Sequence, residues 1–258
     1  MNEYTKNKLL NLNRQFYQTF ARQFSATRQR LQPGVRQIIH SLSSLVHLLE
    51  LGCGNGELNR ELYRMGFQGT YVGLDFSPLM LAEAEAALPA GTHHGFSSAR
   101  LDSLFLHADL SSPGWDKALP AKPFNTVLAF SVLHHLPGHD LRHRVLEQVR
   151  GLLTPRGRFI HSEWQFLNSP RLLARLQPWD LVGIDPAELE QGDYLLDWRD
   201  GGTGLRYVHY FNEPELQRLA QETGFQVIKT FYSDGKEGNL GLYQEWKLKI
   251  GMPLSDSA

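Results

Sequence analysis

Apolar residues recur at helical spacing from residue 6 to residue 45, broken at "QPG" (Gln32 to Gly34), which predicts helix on either side of that break. Beyond it the period changes. "LVHLLEL" (45–51) is a short, nearly continuous apolar run that predicts a buried strand, followed by a helix from about 56 to 65. "TYVGLD" (70–75) predicts a second strand, and Ser77-Pro78 supplies an N-cap and a first-turn proline for the next helix. "LFLHADL" (104–110), "FNTVLAFSVL" (124–133) and "GRFIHSEW" (157–164) predict three more strands, the last preceded by a helix over 138–151. Residues 166–207, rich in Pro, Trp and Asp, read as an insertion of mixed helix and loop. A capped helix then runs from Asn212 to Gly224, and strands at 225–232 and 240–250 are joined by "SDGKEGN" in a hairpin-like connection. The alternation predicts an α/β fold, a mostly parallel seven-stranded sheet with one antiparallel strand, flanked by helices. It is read as a single domain over 1–250: a helical N-terminal cover (1–44), a core (45–165), the insertion (166–207) and a sheet-completing segment (208–250). A flexible tail (251–258) is expected after it.

Composition narrows the class. At 258 residues, 41% hydrophobic and 21% charged, the chain has the make-up of an ordinary globular protein. No apolar run approaches the roughly 18 residues that a membrane span requires. The N-terminus is too polar for a secretory signal. The single cysteine, Cys53, allows neither an internal disulfide nor a multi-cysteine metal site. The expectation is a cytoplasmic protein with no resident metal and no membrane partner. Net charge is −1, but unevenly spread. Residues 1–36 carry seven Lys/Arg against Glu3, and residues 139–175 carry seven Arg against Asp140, Glu147 and Glu163. Residues 180–222 carry ten acids against Arg199, Arg206 and Arg218. Such runs are solvated faces or, alternatively, a basic rim suited to phosphates.

The chemistry concentrates in "LLELGCGNGEL" (48–58). Glycines between a strand and a helix let a ligand approach the backbone where helix N–H groups point outward. The spacing is G-x-G-x-G (Gly52, Gly54, Gly56), with Glu57 where a dinucleotide fingerprint has its third glycine. Glu50 lies two residues before the first glycine, awkward for a pyrophosphate and suited to a cationic amino group. Asp75 ends the second strand, where an acid accepts from both ribose hydroxyls, and Phe76 beside it suits a purine face. Asp109 ends the third strand, placed to accept from the exocyclic amine of adenine, with Leu110 next to it. Each acid alone could cap a helix or face solvent. Three of them at successive strand ends describe an adenosine bearing an amino-acid arm and no phosphate, that is, S-adenosylmethionine.

Over residues 45–165 the chain resembles the class I S-adenosylmethionine-dependent methyltransferases. "LLELGCGNGEL", "YVGLDFSPLML", "LHADL" and "FNTVLAFSVLHHL" are similar to their first four motifs, and "VRGLLTPRGRFIHSE" to the helix-turn-strand that follows. The resemblance implies a Rossmann-like methyltransferase fold, with Phe130 and Ser131 along the cofactor. An acceptor that bears a proton would need a base, and His134 or His135 after the fourth strand is the candidate; both could instead cap a turn near Pro137 or line the cofactor.

The flanks resemble a narrower family, the eukaryotic tRNA wobble-uridine methyltransferases, which esterify a carboxymethyl group on uridine. "FYQTFARQFSATRQRLQPG" is similar to their cover segment and "GLRYVHYFNEPELQRLAQETGFQVIKTFY" to their late segment. This implies Tyr17 and Arg28 over the cofactor, with Arg28 on the methionyl carboxylate. It also implies Arg206, Tyr207 and His209 near the substrate, and a tRNA partner with a small activating subunit. Those relatives carry an Asn-Trp pair after the Tyr232 region; here the segment is longer, and Trp246 falls inside the last strand. The core motifs fit equally a small-molecule methyltransferase acting on a carboxylate, quinone or similar metabolite. They also fit a non-catalytic cofactor-binding subunit. The oligomeric state is not legible in the sequence.

Overall fold

The aliphatic run at 45–51 forms the central strand of the molecule, β1 (Leu45–Leu51), because both faces of it are covered: Leu48, Leu49 and Leu51 are fully buried. A computed structural model describes residues 1–27, 30–88, 101–120 and 123–249. Before β1 lie α1 (Glu3–Ala26), kinked at Phe20, and α2 (Pro33–Ile39). After it come α3 (Glu57–Arg64), β2 (Gln68–Asp75), α4 (Pro78–Ala86), β3 (Leu101–His107), β4 (Phe124–Phe130), α5 (His139–Leu152) and β5 (Leu153–Trp164). The inserted segment holds α6 (Pro170–Leu173), β6 (Leu176–Gln177), β7 (Asp193–Trp198) and β8 (Gly204–His209). The chain then completes the sheet with α7 (Glu213–Glu222), β9 (Phe225–Ser233) and β10 (Gly241–Leu248).

The seven-stranded sheet runs β3-β2-β1-β4-β5-β10-β9, and β10 alone is antiparallel to its neighbours. One face packs on α5 and α7 through Leu141, Val145, Val149, Leu216 and Leu219. The other packs on α2, α3 and α4 through Val35, Ile39, Leu58, Leu62 and Leu81. This is the Rossmann-like methyltransferase fold. The strand order reverses between β1 and β4, so a crevice opens at the carboxyl ends of these strands, where open α/β sheets bind ligands.

Several expectations need correction. The third strand ends at His107, which leaves Asp109 and Leu110 beyond it. The fourth ends at Phe130 because Ser131 adopts φ +58°, its N–H held by the Ser162 carbonyl at 3.0 Å, and His134 and His135 then sit in a 3₁₀ turn. The insertion is more than mixed helix and loop: beside α6 and three short 3₁₀ turns, β6-β7-β8 forms a three-stranded antiparallel sheet. Its signal was present in the alternation of "DYLLDW" and "GLRYVH" around a glycine turn, where Gly201 and Gly202 take positive φ. The tail at 251–258 lies outside the described residues. No described helix is long and apolar enough to cross a membrane.

The insertion and α1 hold each other. The Asn13 amide accepts from the Tyr207 N–H at 2.8 Å and donates to the Tyr207 carbonyl at 3.1 Å, taking the place of a neighbouring strand along β8. Phe16 and Phe20 pack against Trp198. The helix is thereby fixed above the crevice.

Candidate active site

A cavity of about 480 Å³ lies at the switch point beneath α1. Its floor starts at the glycine turn. Gly52 has φ +69°, and a Cβ there would sit 2.6 Å from Val132 Cγ2; Gly54 has φ +52° with open space beside it. Both positions exclude an ordinary L-residue, one by space and strain and the other by strain alone. The Gly54 N–H donates to Asp75 Oδ2 at 2.9 Å, and Ser77 N–H donates to Asp75 Oδ1 at 2.8 Å. Each Asp75 oxygen therefore keeps acceptor capacity, which two ribose hydroxyls can use. Burial raises the Asp75 pKa, opposed by those backbone donors.

Glu50 is buried on the same wall and accepts from the Tyr71 hydroxyl. Burial pushes its pKa up to about 8, with the Tyr71 hydrogen bond working against that rise. An isolated carboxyl in this setting is ready to ionise against a cation. Phe76, Leu110 and Phe130 also line the cavity. Asp109 differs from the expectation of an acid open to adenine. Its Oδ2 takes Nε and Nη2 of Arg14 at 3.1 and 2.7 Å, and its Oδ1 takes the N–H and hydroxyl of Ser111 at 2.9 and 2.6 Å. All of its roughly four acceptor positions are used. Burial works against its ionisation, but the Ser111 and Arg14 donors more than offset that and hold its pKa below the ordinary value. Arg28 lies outside the described residues.

The opposite wall is built from side chains. The Tyr17 hydroxyl lies 2.8 Å from His135 Nε2, and His135 Nδ1 lies 3.4 Å from the Tyr207 carbonyl. His134 Nδ1 is 3.0 Å from Glu163 Oε2, and Glu163 Oε1 is 2.9 Å from His161 Nδ1. The Arg206 guanidinium is buried among three aromatic rings, 4.7 Å from the centre of Trp164, 5.3 Å from Phe16 and 5.7 Å from Trp198. Tyr17, His134, His135, Glu163, Trp164 and Arg206 all line the cavity. So of the six candidates Tyr17, His134, His135, Arg206, Tyr207 and His209, the first four come together.

His209 does not join them. It is buried away from the cavity, Nδ1 at 2.7 Å from Asp193 and Nε2 at 2.8 Å from Glu215. Burial alone would lower its pKa, but the two carboxylates more than offset this and raise it. Tyr207 is likewise buried, its hydroxyl on Asp193 at 2.8 Å. Glu190, Asp193 and His209 lie close enough together to suggest ligands, but Arg142 already bonds Glu190 at 2.5 Å. With Arg142 and His209 as its cations, the group ties α5, β7, β8 and α7 together. It also takes Arg142 out of any basic rim, since that side chain is buried.

Sequence reasoning missed Arg14, Glu163, Asp234 and Tyr243 on the cavity wall. Asp234 alone carried a signal, in the "DG" of the β9–β10 loop. It has φ +70°, and its carboxylate takes the Gly34 N–H at 2.9 Å and the Tyr243 hydroxyl at 2.5 Å.

The cavity thus has acceptors open to a ribose, a carboxyl suited to an ammonium and a backbone bare enough for close approach. These residues fit S-adenosylmethionine. Residues 14–230 match the family described as "Methyltransferase domain", and the chain belongs to that family. It is a class I S-adenosylmethionine-dependent methyltransferase. It is 28% identical over 218 residues to an Encephalitozoon cuniculi protein whose own assignment as a methyltransferase is provisional, covering 83% of this chain and 86% of that one. It is 29% identical over 159 residues to the trans-aconitate 2-methyltransferase of Escherichia coli O1:K1, covering 61% of this chain but only 54% of that enzyme. A Methanosarcina mazei SAM-dependent methyltransferase shares the fold with TM-score 0.59 and 22% identity, over 84% of this chain and 98% of that one.

Proposed function

We propose that the enzyme methylates a carboxylate on a small molecule. The observation that carries this reading is Arg206: a permanent cation on the cavity wall, boxed by Trp164, Phe16 and Trp198 and beside the histidine pair. A planar guanidinium is matched to the two oxygens of a carboxylate, and the aromatic faces hold its plane. A quinone offers that guanidinium only single oxygens, and a protonated amine would be repelled by its charge. The E. coli relative's named substrate, trans-aconitate, is itself a small polycarboxylate.

Bound S-adenosylmethionine supplies an activated methyl, whose C–S bond breaks with its electron pair on sulfur as an acceptor lone pair forms the new bond. An ionised carboxylate brings that lone pair without a proton to lose. The protein's task is then orientation in a pocket shielded from water. Asp75, Glu50 and the Gly52–Gly54 backbone hold the cofactor. Arg206 and the neighbouring His134 hold the acceptor, and Tyr17 on α1 closes the cavity over it.

A carboxymethyl group on a tRNA uridine would offer the same carboxylate. Three of the basic residues are not open to tRNA phosphates, because Arg142 is buried, Arg158 is paired with Glu245 and Arg14 with Asp109. The test uses methyl-labelled cofactor with separated RNA and small-molecule fractions of a cell extract. Label is expected in the small-molecule fraction as a base-labile ester that releases methanol. Base-stable label would overturn the carboxylate acceptor, and ester label confined to RNA would move the acceptor to tRNA.

A further inference from the structure

We propose that Glu163 is a positioning residue: its protonated carboxyl donates a hydrogen bond to Nδ1 of His134 and so fixes that ring as an Nε2–H donor toward the acceptor carboxylate. This rests on the carboxylate reading above and goes beyond it by taking His134 out of the role of base.

The geometry is specific. Glu163 is fully buried in β5, with one oxygen facing each of two histidines. His134 Nδ1 meets Glu163 Oε2 at 3.0 Å and is also approached by the Trp164 backbone N–H at 3.4 Å. An amide N–H can only donate, so Nδ1 is the lone-pair nitrogen of this ring, and a neutral imidazole then carries its proton on Nε2. The proton shared across the 3.0 Å contact belongs to Glu163. At the other oxygen, His161 Nδ1 lies 2.9 Å away. That ring is stacked on Phe159 at 5.1 Å and meets the Trp246 ring edge-on at 4.6 Å, and burial brings its pKa down to about 3. It is a neutral donor that supplies no countercharge for an ionised Glu163.

Burial raises the Glu163 pKa well above the usual range; the His134 backbone N–H, which donates to the carboxyl, and the farther Arg142 oppose that rise, and Glu215 adds to it. Burial thus favours the neutral carboxyl of Glu163 and the neutral ring of His161. That matters for an anionic acceptor. An ionised Glu163 next to the cavity would repel the carboxylate that Arg206 attracts, whereas a protonated one leaves the Arg206 field intact and orients a further donor.

Glu163→Gln tests this, because the amide N–H₂ can replace the acid proton on His134 and its oxygen can still accept from His161. Nitrogen-15 spectra of the histidines are recorded on wild type, E163Q and E163L without any acceptor. The expected result is an Nε2–H tautomer for His134 in wild type and E163Q, constant from about pH 6 to 8, with E163L losing that fixed tautomer. Label transfer to the small-acid fraction of an extract should stay within about threefold of wild type in E163Q and fall about tenfold or more in E163L. Affinity for S-adenosylhomocysteine should be unchanged in both. An Nδ1–H or doubly protonated His134 in wild type would overturn the proposal. So would an E163Q rate about 10²-fold or more below wild type with a rate that titrates through a histidine, since His134 would then be a base backed by a carboxylate. Should E163L fail to fold, the E163Q rate and the tautomer decide alone. A base-stable product would sink the carboxylate reading, while the tautomer, read without acceptor, still reports on Glu163.

Discussion

The two walls of the cavity are made in different ways. The cofactor wall comes from one short stretch of chain, the β1–α3 turn and the end of β2, and half of its work is done by backbone N–H groups and left-handed glycines. The acceptor wall gathers Tyr17 from α1, His134 and His135 from a 3₁₀ turn, Glu163 and Trp164 from β5 and Arg206 from β8. Backbone demands impose residue types at fixed spacing. A wall of side chains from distant elements imposes none, since many residue types could project from those positions. On the proposed reading, the first wall can serve any acceptor, and the second decides which one is methylated. Substitutions on each should therefore change different constants.

The largest separation is expected from Asp75→Ala. It removes the acceptor of two ribose hydrogen bonds, each worth roughly 1.5–3 kcal/mol when one partner is charged, so cofactor affinity should fall by about 10²–10⁴-fold. Calorimetry with S-adenosylhomocysteine measures this. Loss under tenfold would mean that the ribose is not held at the end of β2.

Next is Arg206→Met, which keeps an unbranched side chain among the three rings but removes the charge. The KM for the acceptor should rise by about 10–100-fold, from one lost charge-assisted pair, with cofactor affinity unchanged. Arg206→Lys should recover only part of this, because an ammonium cannot make the two-pronged contact. Equal effects on both ligands would erase the distinction between the walls.

Glu50 sharpens the comparison through pH. Its folded pKa of about 8 lies above the ordinary carboxyl value, so the native state holds a proton that the unfolded chain gives up. This group's contribution to stability is intact at acid pH and is lost progressively as pH rises toward 8. A cationic methionyl group beside it favours the ionised form, so cofactor binding should release a proton. Affinity should rise with pH by up to about tenfold per unit until pH 8 and then level off. Calorimetry in buffers of different ionisation enthalpy counts that proton, and Glu50→Gln should abolish the slope. A pH-independent affinity in wild type would place the ammonium elsewhere.

Legibility in the sequence follows the same division. Strands 45–51 and 70–75, the Ser77-Pro78 helix start and the glycine turn were readable because each is fixed by local sterics and capping. The β6-β7-β8 sheet was missed, although its alternation was visible, because Pro, Trp and Asp density masked a hairpin. Glu163 had no signal at all: an acid in "FIHSEW" becomes special only when His134, 29 residues away, and His161 turn toward it. His209 failed for the opposite reason. Its motif resemblance was local, but Asp193 and Glu215 consume both ring nitrogens. Asp109 looked equivalent to Asp75 because both follow strands, and only the fold brings Arg14 to one and not the other.

That last contrast gives the smallest effect. Asp109 and Arg14 keep 28% and 35% side-chain exposure, so their pair contributes little, on the order of 1 kcal/mol or less. With its oxygens filled by Arg14 and Ser111, Asp109 offers adenine nothing new unless Arg14 leaves. Asp109→Ala should therefore weaken cofactor binding less than about fivefold, far less than Asp75→Ala. Its visible consequence should be on α1 instead, as faster amide exchange around Arg14. The pH dependence has the usual acid sign: the Asp109 pKa lies below its ordinary value, so its contribution is present at neutral pH and is lost as pH falls through the folded pKa. An Asp109→Ala affinity loss as large as that of Asp75→Ala, with α1 exchange unchanged, would show that the cofactor displaces Arg14. The two aspartates would then be equal partners in holding adenosine, and the cofactor wall would extend to the end of β3.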